Sequence, residues 1–192
     1  MELTKRQSEI TGAALKLISE GGIRHLTMKN LSQAIGVTEP AVYRHFKNKS
    51  AIVKALIGQF DQAVSVKPGL SGFDAVAAFV RGRIGQVCAH PELARVMFAE
   101  ELFMDDPEFS GLMMEMMHRH KKMLSAAFEE ACRRGELRAD IAPDMMFRIV
   151  MGPVRLLIKQ WGMTRGAFDL PAQGEELLED LYSMLKKGGT PE

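Results

Sequence analysis

The stretch that decides the fold runs from Leu31 to Ser50 and reads LSQAIGVTEPAVYRHFKNKS. It describes two short helices joined by a turn at Gly36, a residue that takes positive φ without steric cost. We expect Thr27 to cap the first of these helices and Thr38 to cap the second, because a threonine hydroxyl can accept a hydrogen bond from a free amide at a helix start. The stretch therefore predicts a helix-turn-helix.

The side chains of this stretch divide into an inner and an outer set. Those that we expect to pack inward against the first helix of the chain are Leu31, Ile35, Val42 and Phe46. Those left on the other faces of the second helix are Glu39, Ala41, Tyr43, Arg44 and His45. A recognition helix presents such groups to the major groove, where arginine can bond guanine through two hydrogen bonds. The alternative is an ordinary solvated helix face.

The charge distribution favours DNA binding over a plain solvated face. The chain has 192 residues and a formal net charge of only +1, which by itself argues against a nucleic-acid partner. Residues 1–60, however, hold nine basic and four acidic residues, whereas residues 61–192 hold 16 basic and 20 acidic ones. A basic head of net charge +5 on a remainder of −4 indicates a polyanionic partner for the head. Lys47 and Lys49 close the stretch, and Lys49 lies where helix amides favour a phosphate.

The stretch closely resembles the DNA-binding region of TetR-family transcriptional regulators. The resemblance covers about residues 8–60 and is carried by Ala34 with Gly36-Val37-Thr38, by Tyr43-Arg44-His45-Phe46 and by Lys49. It implies that Thr27, Tyr43 and Lys49 bind phosphates, and that the other outward residues face bases or backbone. The full set of predicted DNA-binding residues is Thr27, Thr38, Glu39, Ala41, Tyr43, Arg44, His45, Lys47 and Lys49.

Helical periodicity also dominates the rest of the chain, and we predict an all-α fold of about nine helices. We expect a first helix from Thr4 to Glu20, ended by two glycines, and a fourth helix from residue 49 to about 64. The later helices are expected at 73–89, after His90-Pro91 to about 104, from 105 to near 135, from 142 to about 162, and from about 172 to 187. A weak seam at 66–72 suggests a helix-turn-helix domain over 1–66. The resemblance makes 67–192 the effector-binding and dimerisation domain.

The helix over residues 145–158 is apolar nearly all round, since its only charged residues are Arg148 and Arg155. Such a helix is buried on more than one side, either in a monomer core or against a second copy. The resemblance implies that the last two helices form a four-helix dimer interface, and Pro153 should bend the first of them. The predicted interface residues are Met146, Ile149, Val150, Val154, Leu157, Leu177, Leu178, Leu181 and Leu185. A two-fold dimer would read a pseudo-palindromic operator.

Methionine is concentrated in one part of the chain: of 14 methionines, 11 lie between Met97 and Met163. They can form a plain core, or they can line a deformable apolar pocket, because flexible thioethers adapt to varied ligands. The resemblance implies a small effector bound after the seam, and the composition favours an apolar or aromatic one. The predicted lining is Met97, Phe98, Phe103, Met113, Met116, Met117, His120 and Met151. His120 can equally be a hydrogen-bonded core residue.

Other functional classes find little support. Cys88 and Cys132 form no Cys-x-x-Cys pair, and no histidine spacing suits a metal, so we expect neither a metal nor a cofactor. No apolar run approaches the roughly 20 residues of a membrane span, and the start of the chain is no signal peptide, so a cytoplasmic protein is expected. The paired acids Glu100-Glu101 and Asp105-Asp106 look like surface acids and a helix cap rather than catalytic groups.

We therefore predict a dimeric regulator that binds double-stranded DNA, acts as a repressor and responds to a small-molecule effector. Two alternatives remain open at this point. One is a TetR-like DNA-binding protein that acts through a protein partner without a small ligand. The other is an all-helical enzyme or carrier.

Overall fold

The structure, a computed structural model, describes residues 3–62, 64, 69–98, 103 and 106–188. Over these residues it confirms the all-α prediction, and the only β-type contact there is an isolated bridge between Leu137 and Lys186. The nine helices that it describes are α1 (Lys5–His25), α2 (Met28–Ala34), α3 (Glu39–Tyr43), α4 (Lys49–Gln62), α5 (Gly72–Ala89), α6 (Glu92–Val96), α7 (Pro107–Arg133), α8 (Pro143–Met163) and α9 (Leu170–Leu185).

The helix α1 begins with a reciprocal cap and ends beyond a glycine break. The Gln7 amide donates to the Thr4 hydroxyl at 3.2 Å, and the Thr4 amide donates to the Gln7 side chain at 3.0 Å. Gly21 and Gly22 leave the helical conformation, and Gly22 has φ 70° and ψ −178°, a backbone region that is nearly exclusive to glycine. The predicted break at the two glycines is therefore present, but α1 resumes after it and ends at His25.

The first of two compact units comprises residues 1–62 and 92–114. Within it α1 packs against α2, α4 and α6, and the apolar stripe that periodicity predicts on α1 is buried: Ile10, Ala14, Leu17 and Ile18. From α4, Phe60 meets Phe98 edge to face, with ring centroids 5.7 Å apart. This geometry is one of the two that aromatic pairs prefer. The core of the unit therefore draws on side chains from both of its segments.

The second unit comprises residues 63–91 and 115–192, so the division falls within α7. Here α5 packs against α8 and α9, and α8 packs against α9. An ion pair with two parallel contacts joins α5 to α9, because Arg81 Nε lies 2.8 Å from Glu175 Oε1 and Arg81 Nη2 lies 2.7 Å from Glu175 Oε2. Gly174 on α9 leaves room for the side chain of Ile84 on α5. These contacts hold the last helix against α5.

Several helix ends differ from their predicted positions. The last helix starts at Leu170, two residues early, because the Asp169 side chain accepts a hydrogen bond from the Ala172 amide at 2.9 Å. The helix α6 ends at Val96 rather than near residue 104. Residue 104 lies outside the described residues, as do Glu100, Glu101, Asp105 and the predicted boundary between 66 and 67. Pro153 lies inside α8, and the bend that it should cause stays a prediction.

Two further findings concern the described residues as a set. None of their helices combines the length and the apolar character that a membrane crossing requires. Nor do three or more of their histidine, cysteine, aspartate or glutamate side chains gather in a group that could hold a metal ion.

The glycine break in α1 gives a prediction for stability. Gly22→Ala should lower the free energy of unfolding by about 1–3 kcal/mol, because alanine is strained at this φ and ψ. Gly12 is the matched control, since it lies in the regular part of α1, where an added Cβ would meet nothing within 4 Å beyond its chain neighbours and the nearby backbone of its own helix. Gly12→Ala should instead raise the stability by up to about 1 kcal/mol. Urea unfolding followed by circular dichroism measures both, and shifts of the two midpoints in the same direction would contradict the prediction.

Candidate nucleic-acid interface

The turn between α2 and α3 is built around Gly36, whose φ is 66°. The Val37 amide donates to the Ser32 carbonyl at 2.9 Å, and the Gly36 amide donates to the Gln33 carbonyl at 3.2 Å. These bonds satisfy carbonyls at the end of α2 and require a residue that tolerates the left-handed region. The turn that the sequence predicts at Gly36 is confirmed, and it sets the direction in which α3 begins.

The inner face of the helix-turn-helix is apolar, as predicted. Leu31, Val42 and Phe46 are buried, and Ile35 is half-buried. Because Val42 and Phe46 lie one helical turn apart and both face the core, Tyr43 and Arg44 point away from it, whereas His45 is half-buried. Tyr43 is 48% exposed.

The helix α3, the second of the helix-turn-helix, is short and ends at Tyr43. The chain nevertheless continues in a helical turn, since the Arg44 amide donates to the Pro40 carbonyl at 3.3 Å and the His45 amide donates to the Val42 carbonyl at 2.9 Å. Arg44 and His45 are therefore held by backbone hydrogen bonds although they follow the end of α3.

The nine predicted DNA-binding residues all lie in the first unit, but they differ in accessibility. The exposed ones are Thr27, Thr38, Tyr43, Arg44 and Lys47. The half-buried ones are Glu39, Ala41, His45 and Lys49. Their contacts with DNA stay a prediction.

The two predicted threonine caps turn out differently. The Thr27 hydroxyl accepts a hydrogen bond from the Asn30 amide at 3.0 Å, so it caps α2 as expected. Thr38 occupies the equivalent position before α3, but its hydroxyl makes no capping hydrogen bond. The Thr38 hydroxyl is thus exposed without being committed to the helix start, whereas the Thr27 hydroxyl already has a structural partner.

Lys49 begins α4 and is held from inside the unit. Its Nζ donates to the Ile23 carbonyl at 2.5 Å, just beyond the glycine break of α1. Burial lowers the pKa of Lys49, and the charge of Asp106 partly opposes that shift. The helix start itself is capped by Asn48, whose side chain accepts from the Ala51 amide at 2.9 Å. A phosphate bound by Lys49 would share or replace its bond to Ile23.

Sequence reasoning missed a carboxylate beside this helix start. Glu108, in the first turn of α7, accepts a hydrogen bond from the Ser50 hydroxyl at 2.5 Å and pairs with Lys54 Nζ at 2.5 Å. These two bonds, chiefly that of Lys54, lower the pKa of Glu108. The four-residue spacing of Ser50 and Lys54 signals a shared helix face, but nothing in one sequence points to a partner 58 residues beyond Ser50.

The predicted effector-binding residues are divided between the two units. Those in the first unit, Met97, Phe98, Phe103 and Met113, are all buried. Those in the second unit are Met116, Met117, His120 and Met151. Of these Met116 is buried and Met117 is exposed, while the His120 ring meets Phe79 edge to face at 5.1 Å between centroids. An effector site at these residues stays a prediction.

The predicted dimer-interface residues differ in accessibility, and their contact with a second copy stays a prediction. The structure buries six of the nine inside the second unit: Met146, Val150, Val154, Leu178, Leu181 and Leu185. They lie on α8 and α9, which pack against each other and against α5. The other three, Ile149, Leu157 and Leu177, are half-buried. Apolar side chains that the sequence interpretation passed over are exposed instead, among them Leu156 at 57% and Met163 at 74%.

Comparison with known proteins matches the helix-turn-helix region to a known family. Residues 10–56 match the family model of bacterial regulatory proteins, tetR family. The HTH-type transcriptional regulator TtgR of Pseudomonas putida is 26% identical over 201 residues, which cover 96% of this chain and 93% of TtgR. The fatty acid metabolism regulator protein of Bacillus subtilis is 22% identical over 181 residues, covering 91% of this chain and 93% of that protein.

Solved structures share the fold. The transcriptional regulator FadR from Bacillus subtilis, in complex with stearoyl-CoA, matches with a TM-score of 0.78 at 22% identity, over 92% of this chain and 97% of FadR. The relatives are transcriptional regulators and not enzymes. The helix-turn-helix geometry, the family match over residues 10–56 and the relatives along the whole chain agree: the chain carries a DNA-binding region of the tetR family type and is similar to transcriptional regulators along its length.

Proposed function

We propose that this chain is a homodimeric repressor that binds a pseudo-palindromic operator and is released from it by a small apolar or aromatic effector. The observation that carries the proposal is the outward placement of Tyr43 and Arg44 directly after the glycine turn, within the segment that matches the family. Because the proposed ligand is DNA, we place the protein in the cytoplasm.

In the proposed complex, α3 and the turn after it enter the major groove. Arg44 is exposed and can bond the O6 and N7 atoms of a guanine, while the exposed Tyr43 and Lys47 are suited to the phosphates beside it. Thr27 and Lys49 would add phosphate contacts at the starts of α2 and α4. Base-reading and phosphate-binding residues should therefore respond differently to substitution.

Arg44→Ala should weaken operator binding by about 10- to 100-fold and relax the base preference at one position of each half-site. Lys47→Ala should weaken operator and non-operator DNA alike, and it should reduce the slope of log K against log salt by about 0.9. Fluorescence anisotropy on operators selected from genomic DNA measures both effects.

The control for these variants is Arg133→Ala, which removes the same charge from an exposed position at the end of α7. It should leave both affinities unchanged. Equal effects of Arg44→Ala and Arg133→Ala would contradict the assignment of Arg44 to the DNA face.

The exposed face of α8 and α9 supports the dimer. An open groove along it is lined by Pro153, Leu156, Leu157 and Gln160 from α8 and by Gln173, Glu176, Leu177 and Asp180 from α9. Leu156 and Met163 are large apolar side chains exposed on α8, and exposed apolar surface of this kind marks an interaction site. A second copy seated here by two-fold symmetry would present two heads to half-sites about one helical turn apart.

Leu156→Glu and Met163→Glu should each weaken dimerisation by about 30-fold or more, because each places a charge in the proposed contact and removes an apolar anchor. Sedimentation velocity at micromolar concentration measures the oligomeric state, and operator affinity should fall along with it. Met114→Glu makes the same change at a residue of α7 that is 54% exposed, and it should leave the dimer intact. A wild-type chain that sediments only as a monomer would refute the dimer.

The effector part of the proposal is supported by the methionine-rich sequence and by FadR, a fold neighbour whose structure was determined with stearoyl-CoA. Binding must favour a conformation whose heads no longer match the operator spacing. A coupling free energy of about 1–3 kcal/mol between the two ligands is typical of such proteins.

Native mass spectrometry of the protein purified from its host should show an apolar or aromatic molecule bound to each chain. Adding that molecule to the operator complex should lower the affinity for DNA by about 5- to 150-fold. Non-operator DNA serves as the control, and its weaker affinity should change less. Recovery of a sugar or a metal ion as the ligand that releases DNA would contradict the proposal.

A further inference from the structure

One carboxylate of α7, that of Glu108, makes two contacts with the start of α4 within the first unit. Glu108 Oε2 accepts a hydrogen bond from the Ser50 hydroxyl at 2.5 Å, and Glu108 Oε1 lies 2.5 Å from Lys54 Nζ. Both carboxylate oxygens are thus engaged, by two residues that lie one helical turn apart on α4. The contact therefore holds the first two turns of α4 together in one orientation.

Glu108 is itself held in place by its neighbours on α7. The Asp106 carboxylate accepts from the Glu108 amide at 2.9 Å and from the Phe109 amide at 3.4 Å, so the start of α7 is capped. Phe109, the next residue, is buried. Glu108 is therefore presented to α4 from an anchored helix turn.

The same helix start carries Lys49, which is directly followed by Ser50. A cleft of about 480 Å³ lies here, lined by Ile23, Arg24, Asn48, Lys49, Ser50, Asp106 and Phe109. The Lys49 ammonium is tied to the Ile23 carbonyl on one side of the helix start, and Ser50 and Lys54 are tied to Glu108 on the other. The orientation of Lys49 therefore depends on contacts made by both α1 and α7.

We propose that Glu108 is a positioning residue for operator binding, which fixes the first turns of α4, and with them Lys49, in the orientation that fits the operator. The inference rests on the DNA-binding function proposed above. Glu108 is not expected to touch DNA, because phosphates repel a carboxylate. On charge alone, its removal would strengthen DNA binding. A positioning role predicts instead that removing Glu108 weakens DNA binding. The direction of the change in affinity therefore distinguishes positioning from simple charge repulsion.

The test compares Glu108→Gln with Glu115→Gln in the full chain. Glu115 also lies on α7, and its side chain is 70% exposed, so its substitution removes the same charge without touching α4. Glu108→Gln should weaken operator binding by about fivefold, the order expected for one exposed ion pair. Its affinity for non-operator duplex should fall as well, and its salt slope should become shallower by up to about 0.9, because the phosphate contact of Lys49 is weakened. Glu115→Gln should match the wild type in operator affinity, in non-operator affinity and in salt slope.

A double-mutant cycle tests whether Glu108 acts through α4. Lys54→Met should reproduce the loss of operator affinity and the shallower salt slope, and adding Glu108→Gln to it should cause little further loss. Fully additive losses in the double variant would show that the two residues act independently, and that result would overturn the proposal.

The remaining outcomes are also decisive. Operator affinity of Glu108→Gln equal to or tighter than that of Glu115→Gln overturns the inference while leaving DNA binding intact. If circular dichroism shows that Glu108→Gln is unfolded, Ser50→Ala and Lys54→Met can be used instead, because they remove the same two bonds from the side of α4. Unchanged operator affinity in both of these variants overturns the inference. A wild-type chain without affinity for any duplex refutes the proposed function itself.

Discussion

Val42 and Phe46 are two apolar side chains one helical turn apart, and their burial in the first unit determines where the residues of the candidate interface point. Burying such a side chain stabilises a protein by about 1.5–3 kcal/mol, several times what an exposed ion pair contributes. Gly36 gives the chain the turn that this burial requires. Tyr43 and Arg44 face outward because their neighbours Val42 and Phe46 are buried in the core. This orientation does not depend on the charge of either side chain.

The helix α4 is attached to this arrangement by a different kind of force. Its buried side chains join the core, but its first turn is held by polar contacts at half-exposed groups: Lys49 to the Ile23 carbonyl, and Ser50 and Lys54 to Glu108. Such contacts are weaker and more sensitive to salt than apolar packing. The candidate interface thus combines a part set by the core with a part set by adjustable polar bonds.

Local patterns in the sequence predicted the features that depend on neighbouring residues. The turn at Gly36, the cap at Thr27 and the buried positions Leu31 and Val42 follow from spacing and from residue chemistry, and the structure confirms each. The contact of Glu108 with α4 could not be found this way, because it joins residues far apart in the chain.

The prediction of an interface on α8 meets a related limit. That helix is apolar on two faces, and periodicity identifies both without saying which one the protomer covers. The structure covers the face of Met146, Val150 and Val154 and leaves Leu156 exposed. The predicted effector lining shows the same limit: periodicity places Met113 and Met116 near each other on one helix but cannot assign them to separate units.

The first unit is discontinuous in the sequence, because residues 92–114 belong to it together with residues 1–62. Phe98 packs on Phe60, and the Arg95 guanidinium donates to the Ser19 hydroxyl at 3.4 Å. During synthesis the unit cannot complete its core until α6 and the start of α7 have left the ribosome, although its helix-turn-helix emerges much earlier. A head taken from this chain must therefore carry both segments if its core is to be complete.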